Sequence, residues 1–293
     1  MSNLKVWFIT GASTGFGRAM TELVLKNGDA VVATLRKPEV LAGLSAQYPV
    51  DRLLVLKLDV QNENEIIAAF AAAKEKFGRL DVVFNNAACG VLSEVESAAG
   101  NETLVRDMFE VNFWGATHVS QAAVKFFREV NKPGIGGRLL QVSSLAGIEG
   151  VPTFGFYNAT KFALEGISEA LAKELDPSWN IKVTIIEPGA FITEGQSKIT
   201  HIDPLPAYAK APAAFIRSSM SALTQKPSGA DPLKAVKAFY RLANLPEPPL
   251  HFPIGEDAIE AVRRKTAGLL ADTDAFTSWS EGLGFTGDKI DLD

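Results

Sequence analysis

Short runs of β-branched and aromatic residues alternate along this chain with longer stretches in which apolar positions recur every three or four residues. The first kind of pattern predicts strands and the second amphipathic helices. Strands are expected at residues 4–10, 30–35, 53–58, 80–84, 138–142 and 181–187, and helices at 18–27, 66–77, 104–130 and 156–174. Gly78 supplies the stop for the helix at 66–77. The run at 80–84 is apolar after Asp81 without alternation, as a strand covered on both faces requires. Six strands separated by helices of crossover length predict a single doubly wound α/β domain with a parallel sheet and helices on both faces. After Thr193 the character changes. Residues 195–212 are polar and carry prolines, 213–225, 232–245 and 258–271 are helical in pattern, and a short last strand fits 250–252. The acidic tail at 272–293 is expected to wrap the surface or to be mobile. One unit of residues 1–293 is thus expected, with 1–193 as its core.

Composition narrows the function more than the fold. A net charge of -5 gives no general attraction to nucleic acid or to an anionic membrane, so an anionic ligand has to be held by a local device. One cysteine and three histidines leave no disulfide framework and no expected metal centre. The apolar run near the N-terminus is too short to span a bilayer and ends at a glycine turn, which predicts a cytoplasmic protein.

Candidate chemistry collects at the C-terminal ends of the expected strands. After the first come Gly11, Ala12, Ser13, Thr14, Gly15, Phe16 and Gly17, then a helix. Glycines let the backbone approach a ligand closely, and the free N–H groups opening the helix attract a phosphate, so Gly11, Ser13, Thr14, Gly15, Phe16 and Gly17 are candidate dinucleotide contacts. The second strand ends at Leu35, Arg36 and Lys37, where NAD-binding sheets carry an acid. The guanidinium of Arg36 suits a 2′-phosphate instead, which favours NADP(H). Asp59 and Val60, after the third strand, can reach an adenine edge. Asn85 and Asn86 with small Ala87 and Ala88 suggest a turn that leaves room for a flat ligand, and Cys89 is read as a small apolar filler. Asn112 in an apolar helix is either structural glue or part of a site, while His118 is expected on a helix surface. The fifth strand delivers Ser143 and Ser144. Tyr157 and Lys161 follow at i and i+4, on one helix face, where a cation favours the phenolate.

Taken together these residues resemble the short-chain dehydrogenase/reductases, over roughly residues 4–193. Thr10 to Gly17 is similar to that family's TGxxxGxG, Asn85 to Ala88 to its NNAG with alanine last, and Tyr157 to Lys161 to its YxxxK. Ser144 lies thirteen residues before Tyr157, at the family's spacing, and Pro188, Gly189 and Thr193 match its PG motif. The resemblance implies Asn112, Ser144, Tyr157 and Lys161 as catalytic residues. It adds Asn86, Ala87, Tyr157, Lys161, Pro188, Gly189 and Thr193 to the cofactor contacts, with Thr193 on the nicotinamide carboxamide. It also implies an NADP(H)-dependent interconversion of a carbonyl and an alcohol on a hydrophobic small molecule. Residues 194–293 would form a substrate lid and C-terminal helices, with Phe154, Phe156, Phe191, Tyr208 and Phe215 around an apolar pocket and His201 on the lid surface. A homodimer, or a homotetramer, is expected through the long helices, with Phe113, Phe126 and Phe127 facing the partner. The competing reading is a dinucleotide-binding regulatory protein without turnover.

Overall fold

The computed structural model describes residues 4–226 and 228–284. Its strands are β1 (Val6–Ile9), β2 (Ala30–Leu35), β3 (Leu53–Lys57), β4 (Val82–Asn85), β5 (Val91–Leu92), β6 (Gly137–Val142), β7 (Ile181–Pro188), β8 (Thr200–His201) and β9 (His251–Ile254). Its helices are α1 (Gly15–Lys26), α2 (Ala42–Ser45), α3 (Glu63–Phe77), α4 (Glu102–Phe109), α5 (Ala116–Glu129), α6 (Gly155–Glu174), α7 (Glu194–Ser197), α8 (Pro212–Gln225), α9 (Pro232–Leu242) and α10 (Glu256–Phe276). Seven strands form one sheet in the order β3-β2-β1-β4-β6-β7-β9, every neighbouring pair parallel. The six expected strands are all present, and the short run near residue 251 completes the sheet as β9.

Alternate side chains of each strand feed opposite faces, so one sheet builds two cores. Trp7, Ile9, Val31, Ala33, Phe84 and Val142 pack with Met20 and Val24 of α1 and Phe239 of α9. Val6, Phe8, Val32, Val83 and Leu139 pack on the other face with Ile66 and Phe70 of α3 and Val119, Ala123, Phe126 and Phe127 of α5. Helix α3 shows how local signals set the boundaries. The Asn62 side chain accepts the N–H of Glu65 at its start, and Gly78 takes a left-handed conformation, φ 67°, at its end.

The structure corrects the sequence reading in three places. The helix expected at 104–130 is two α-helices joined by a π-helical segment, Glu110–Gly115, centred on Asn112. Phe126 and Phe127 are 4% and 2% exposed, so they belong to the core of the single chain and cannot face a partner. The tail does not leave the helical body at residue 272: α10 continues to Phe276 and a 3-10 turn spans Thr277–Ser280, while residues 285–293 lie outside the described ones. A two-stranded parallel sheet of β5 and β8 was also not anticipated, because two residues per strand carry no periodic signal. No helix among the described residues is long and apolar enough to cross a membrane.

Candidate active site

The sheet order reverses between β1 and β4, since β2 and β3 extend to one side and β6, β7 and β9 to the other. The loops leaving the strand C-termini part there and leave a crevice. A cleft of about 670 Å³ occupies it, lined by the ends of β1, β2, β3, β4, β6 and β7 and by the segment from Thr193 to Thr200.

At one end stands the glycine turn. Gly11 and Gly15 take positive φ, 67° and 55°. A Cβ on Gly17 would sit 2.2 Å from the carbonyl oxygen of Gly11, so the turn closes only over a residue without one. Thr14 precedes α1 without a side-chain cap. The N–H of Gly15 instead donates to Glu194 Oε2 at 2.9 Å. A carboxylate from the far end of the chain therefore stands where the turn and the helix dipole invite an anion, and the cradle has the shape and polarity that a pyrophosphate requires. The turn is tied to β4 by Thr10, whose buried hydroxyl accepts the N–H groups of Asn86 and Ala87 at 2.8 and 3.0 Å. Asn86 Nδ2 returns a bond to the carbonyl of Thr10 at 3.0 Å. Arg36 reaches the same cleft from the end of β2, exposed and without a hydrogen bond or ion pair among the described residues. Asp59 lines the cleft too, but one carboxylate oxygen accepts the N–H of Gln61 at 3.1 Å.

Ser144, Tyr157 and Lys161 meet at the other end of the cleft. Ser144 leaves β6 beside Tyr157, which rises from the first turn of α6, and the serine hydroxyl accepts the N–H of Ala146 at 3.1 Å. Lys161, 2% exposed, donates to the carbonyl of Val142 at 2.9 Å. Its Nζ lies 5.8 Å from the centre of the Tyr157 ring. Burial pushes Tyr157 up to about 12, opposed by the Ser144 hydrogen bond, although its ring edge opens on the cleft. Burial brings Lys161 down to about 8, opposed by Glu165. At neutral pH the pair stands mainly as phenol and ammonium.

Of the catalytic and cofactor candidates named from the sequence, all but two line this cleft. Gly17 lies beneath the turn, and Asn112, fully buried, lies behind the wall. Asn112 Nδ2 donates to the carbonyl of Cys89 at 2.8 Å and to Thr160 Oγ1 at 3.1 Å, while Oδ1 accepts the N–H of Cys89 at 2.9 Å. It thereby clamps the β4 loop to α6, one residue from Lys161. Gly115 closes the same segment against β3, since a Cβ there would lie 2.8 Å from the carbonyl oxygen of Val60. Cys89 is no buried filler: its side chain opens on the cleft, whose walls push the thiol above its ordinary value against the pull of Lys161 and Arg36.

The apolar pocket needs more correction. Phe154 and Phe191 line the cleft, whereas Phe156 packs beside Val91 and Met108, Tyr208 donates to Glu96 Oε2 at 2.8 Å, and Phe215 is exposed. Val91, Leu104, Met108, Val111 and Ile199 make the wall instead. Helix α8 is tied to the body by an ion pair between part-buried Arg217 and buried Glu94. Arg217 of α8 donates through Nε to Glu94 Oε1 at 3.0 Å and through Nη2 to Oε2, and its Nη1 donates to the carbonyl of Ile202 at 2.8 Å. Thr153, beside Phe154, holds φ at 70°, a strained value for a β-branched residue. His118 stands beside Trp114 on the helix surface and His201 is exposed on β8.

Three further features escape any local reading. Asp257 of α10 accepts the N–H of Ala190 at 2.7 Å and braces the turn at Gly189, where a Cβ would fall 1.8 Å from its carboxylate. Ser143 donates to Glu165 Oε1 at 2.6 Å, one helical turn beyond Lys161. Behind it, Glu187 meets His251 Nδ1 at 2.6 Å, and burial raises Glu165 to about 7 and Glu187 above its usual range.

The chain is 37% identical to an oxidoreductase of Schizosaccharomyces pombe over 90% of its own length and 86% of the relative's. It is 31% identical to a 3-ketodihydrosphingosine reductase of Bacteroides thetaiotaomicron, covering 92% of this chain and 94% of that one. A short-chain dehydrogenase structure from Streptomyces avermitilis superposes with a TM-score of 0.86 at 34% identity, covering 97% and 100% of the two chains. A serine dehydrogenase complexed with NADP+, 24% identical, and a Burkholderia phymatum dehydrogenase/reductase in complex with NAD, 21% identical, share the fold at TM-scores of 0.69 and 0.70. With residues 5–203 matching the sequence model of the short chain dehydrogenases, the chain belongs to that family of oxidoreductases.

Proposed function

We propose that this oxidoreductase reduces a ketone or aldehyde on a hydrophobic small molecule at the expense of NADPH. The observation that carries the reading is one cleft with an anion-binding glycine turn at one end and Ser144, Tyr157 and Lys161 at the other. Gly11, Ser13, Thr14, Gly15, Phe16, Asn86, Ala87, Asp59, Val60, Pro188, Gly189 and Thr193 would hold the dinucleotide, and the free guanidinium of Arg36 would take a 2′-phosphate. The nicotinamide supplies a hydride when bound.

The residues of the chain manage the oxygen and its proton. Ser144 and Tyr157 line the same end of the cleft, and a substrate carbonyl oxygen bound there would accept from both hydroxyls. A phenol held near 12 keeps its proton at neutral pH and releases it only to a strong base such as a developing alkoxide, which suits the reductive direction. Lys161, now donating to the carbonyl of Val142, would as an ammonium stabilise the phenolate left behind and hold ribose hydroxyls of a bound dinucleotide. With both amide donors committed, Asn112 acts as a positioning residue for α6. The apolar wall of Val91, Leu104, Met108, Phe154 and Ile199 favours a hydrophobic substrate. The ketone reductase among the relatives fits that class. Dimers would form through α5 and α6, where Trp114 and Phe162 are exposed in place of the buried Phe126 and Phe127.

The test is turnover of NADPH with a panel of hydrophobic aldehydes, ketones, quinones and sterols. Tyr157→Phe should leave cofactor affinity near wild type and lower turnover at least ~100-fold. Arg36→Asp should weaken NADPH far more than NADH. Tight dinucleotide binding with no turnover across the panel would favour a binding protein, and near-normal turnover of Tyr157→Phe would refute the assigned role.

A further inference from the structure

Helix α10 spends its first turns on the body of the protein and the rest in solvent. Ala258 and Ala261 are fully buried and Arg264 pairs with Glu149. From residue 266 to residue 284 every described position is exposed. A helix of 21 residues runs about 31 Å, so roughly half of it stands clear of the rest of the described residues. An isolated helical segment of that length is marginal in water, and the packing that holds a helix normally comes from an apolar face laid against something else.

The projecting part has such a face. Val262, Thr266, Leu269, Thr273 and Phe276 recur at alternating spacings of four and three, the seam of a coiled coil, with Leu270 beside it. Leu269, Leu270 and Phe276 are each more than half exposed, and Trp279 in the following turn is 76% exposed. Together these side chains offer on the order of 500 Å² of apolar surface. Two copies face to face would cover about 1,000 Å², the lower bound for a specific interface.

Charge along the helix selects the partner. Arg263 and Lys265 lie before Leu269, and Asp272 and Asp274 lie after it. Laid antiparallel about Leu269, a second copy brings its aspartates opposite the basic pair at both ends, whereas a parallel pairing sets like charge against like. The acidic residues also disfavour an anionic bilayer as the occupant.

We infer that α10 is a self-association element, in which the exposed seams of two copies pair antiparallel across a two-fold axis near Leu269. This contact is separate from the α5 and α6 face and does not depend on the proposed chemistry. Two charge variants of the full chain test it: Arg263→Glu/Lys265→Glu, which puts acids on both sides of Leu269, and Asp272→Lys/Asp274→Lys, which puts bases on both sides. Mass is read by sedimentation velocity, with circular dichroism checking that each variant is folded. Wild type should be associated, each variant alone should show half its mass, and an equimolar mixture should recover the wild-type value. Leu269→Glu should halve the mass with no recovery on mixing. Equal masses for wild type and variants would overturn the inference, as would a mixture that stays dissociated or a loss of lipid-vesicle binding without any change in mass.

Discussion

Glu194 competes for the donor that a dinucleotide needs, and its removal should tighten cofactor binding. Its carboxylate accepts the N–H of Gly15 at 2.9 Å at the N-terminal end of α1. A partly exposed charge-assisted bond at a helix N-terminus is worth about 1 kcal/mol. At that value the contact is made in about 84% of molecules and open in about 16%, which weakens the apparent affinity of any ligand needing the donor by about sixfold. Glu194→Ala removes the competitor and also a negative charge next to the phosphates, so NADPH should bind about five- to tenfold more tightly. The assay is an equilibrium fluorescence titration of wild type and variant at low and high salt. The advantage should shrink at high salt, where the charge component is screened. An unchanged or weaker affinity in the variant would refute the competition and recast Glu194 as a brace for the cofactor.

Other outcomes follow from single contacts. Gly17→Ala drives a Cβ into the Gly11 carbonyl, so dinucleotide affinity should fall at least tenfold while the far end of the sheet keeps its hydrogen-exchange protection. Arg217→Met strands Glu94, itself 4% exposed, and should cost about 3–5 kcal/mol in urea unfolding unless α8 lifts away first; adding Glu94→Gln should recover most of it. Arg217 holds the Glu94 carboxyl below the usual range, so that stabilisation is present above the ordinary glutamate pKa and is lost as pH falls through the lower folded value. Glu165 has the opposite sign. Its folded value, raised to about 7 from 4.5, means the native state binds the extra proton between those limits, so wild type should lose stability relative to Glu165→Gln as pH rises from 4.5 to 7, and a flat difference would contradict the burial assigned to it.

The sequence disclosed most where physics is local. β1, β4, β6 and β7 each run into a glycine, asparagine or serine, and the C-terminal ends of parallel strands necessarily share one edge, so Gly11, Asn86, Ser144 and Gly189 could be gathered into one site before any coordinates. What stayed hidden depends on partners distant in the chain. Glu194 reaches Gly15 across 179 residues and Asp257 reaches Ala190 across 67, and neither acid has a local pattern to distinguish it from a surface charge. The aromatics failed for a related reason. Phe126 and Phe215 look equally apolar in sequence, yet one fills the core and the other faces solvent, because only tertiary packing decides which side of an amphipathic helix meets the sheet. The i and i+4 spacing brings the phenol and the lysine to one end of the cleft, whereas the burial that raises one and lowers the other depends on tertiary packing that the spacing does not encode.

The π-helical segment at Glu110–Gly115 makes the chain unusually tolerant of one kind of change. A π turn accommodates one residue more than an α turn, so deleting a residue there would let the helix relax to regular α geometry with α5 kept in phase with α4. A deletion within α4 or α5 instead turns everything beyond it by about 100°. Ala116 and Ser120, which support Asn85, and Phe126 and Phe127, which fill the core, would then leave their places together. In a deletion scan across residues 102–129, the loss of folded protein should be smallest within the π segment, at positions other than Asn112, whose side chain clamps the loop at Cys89.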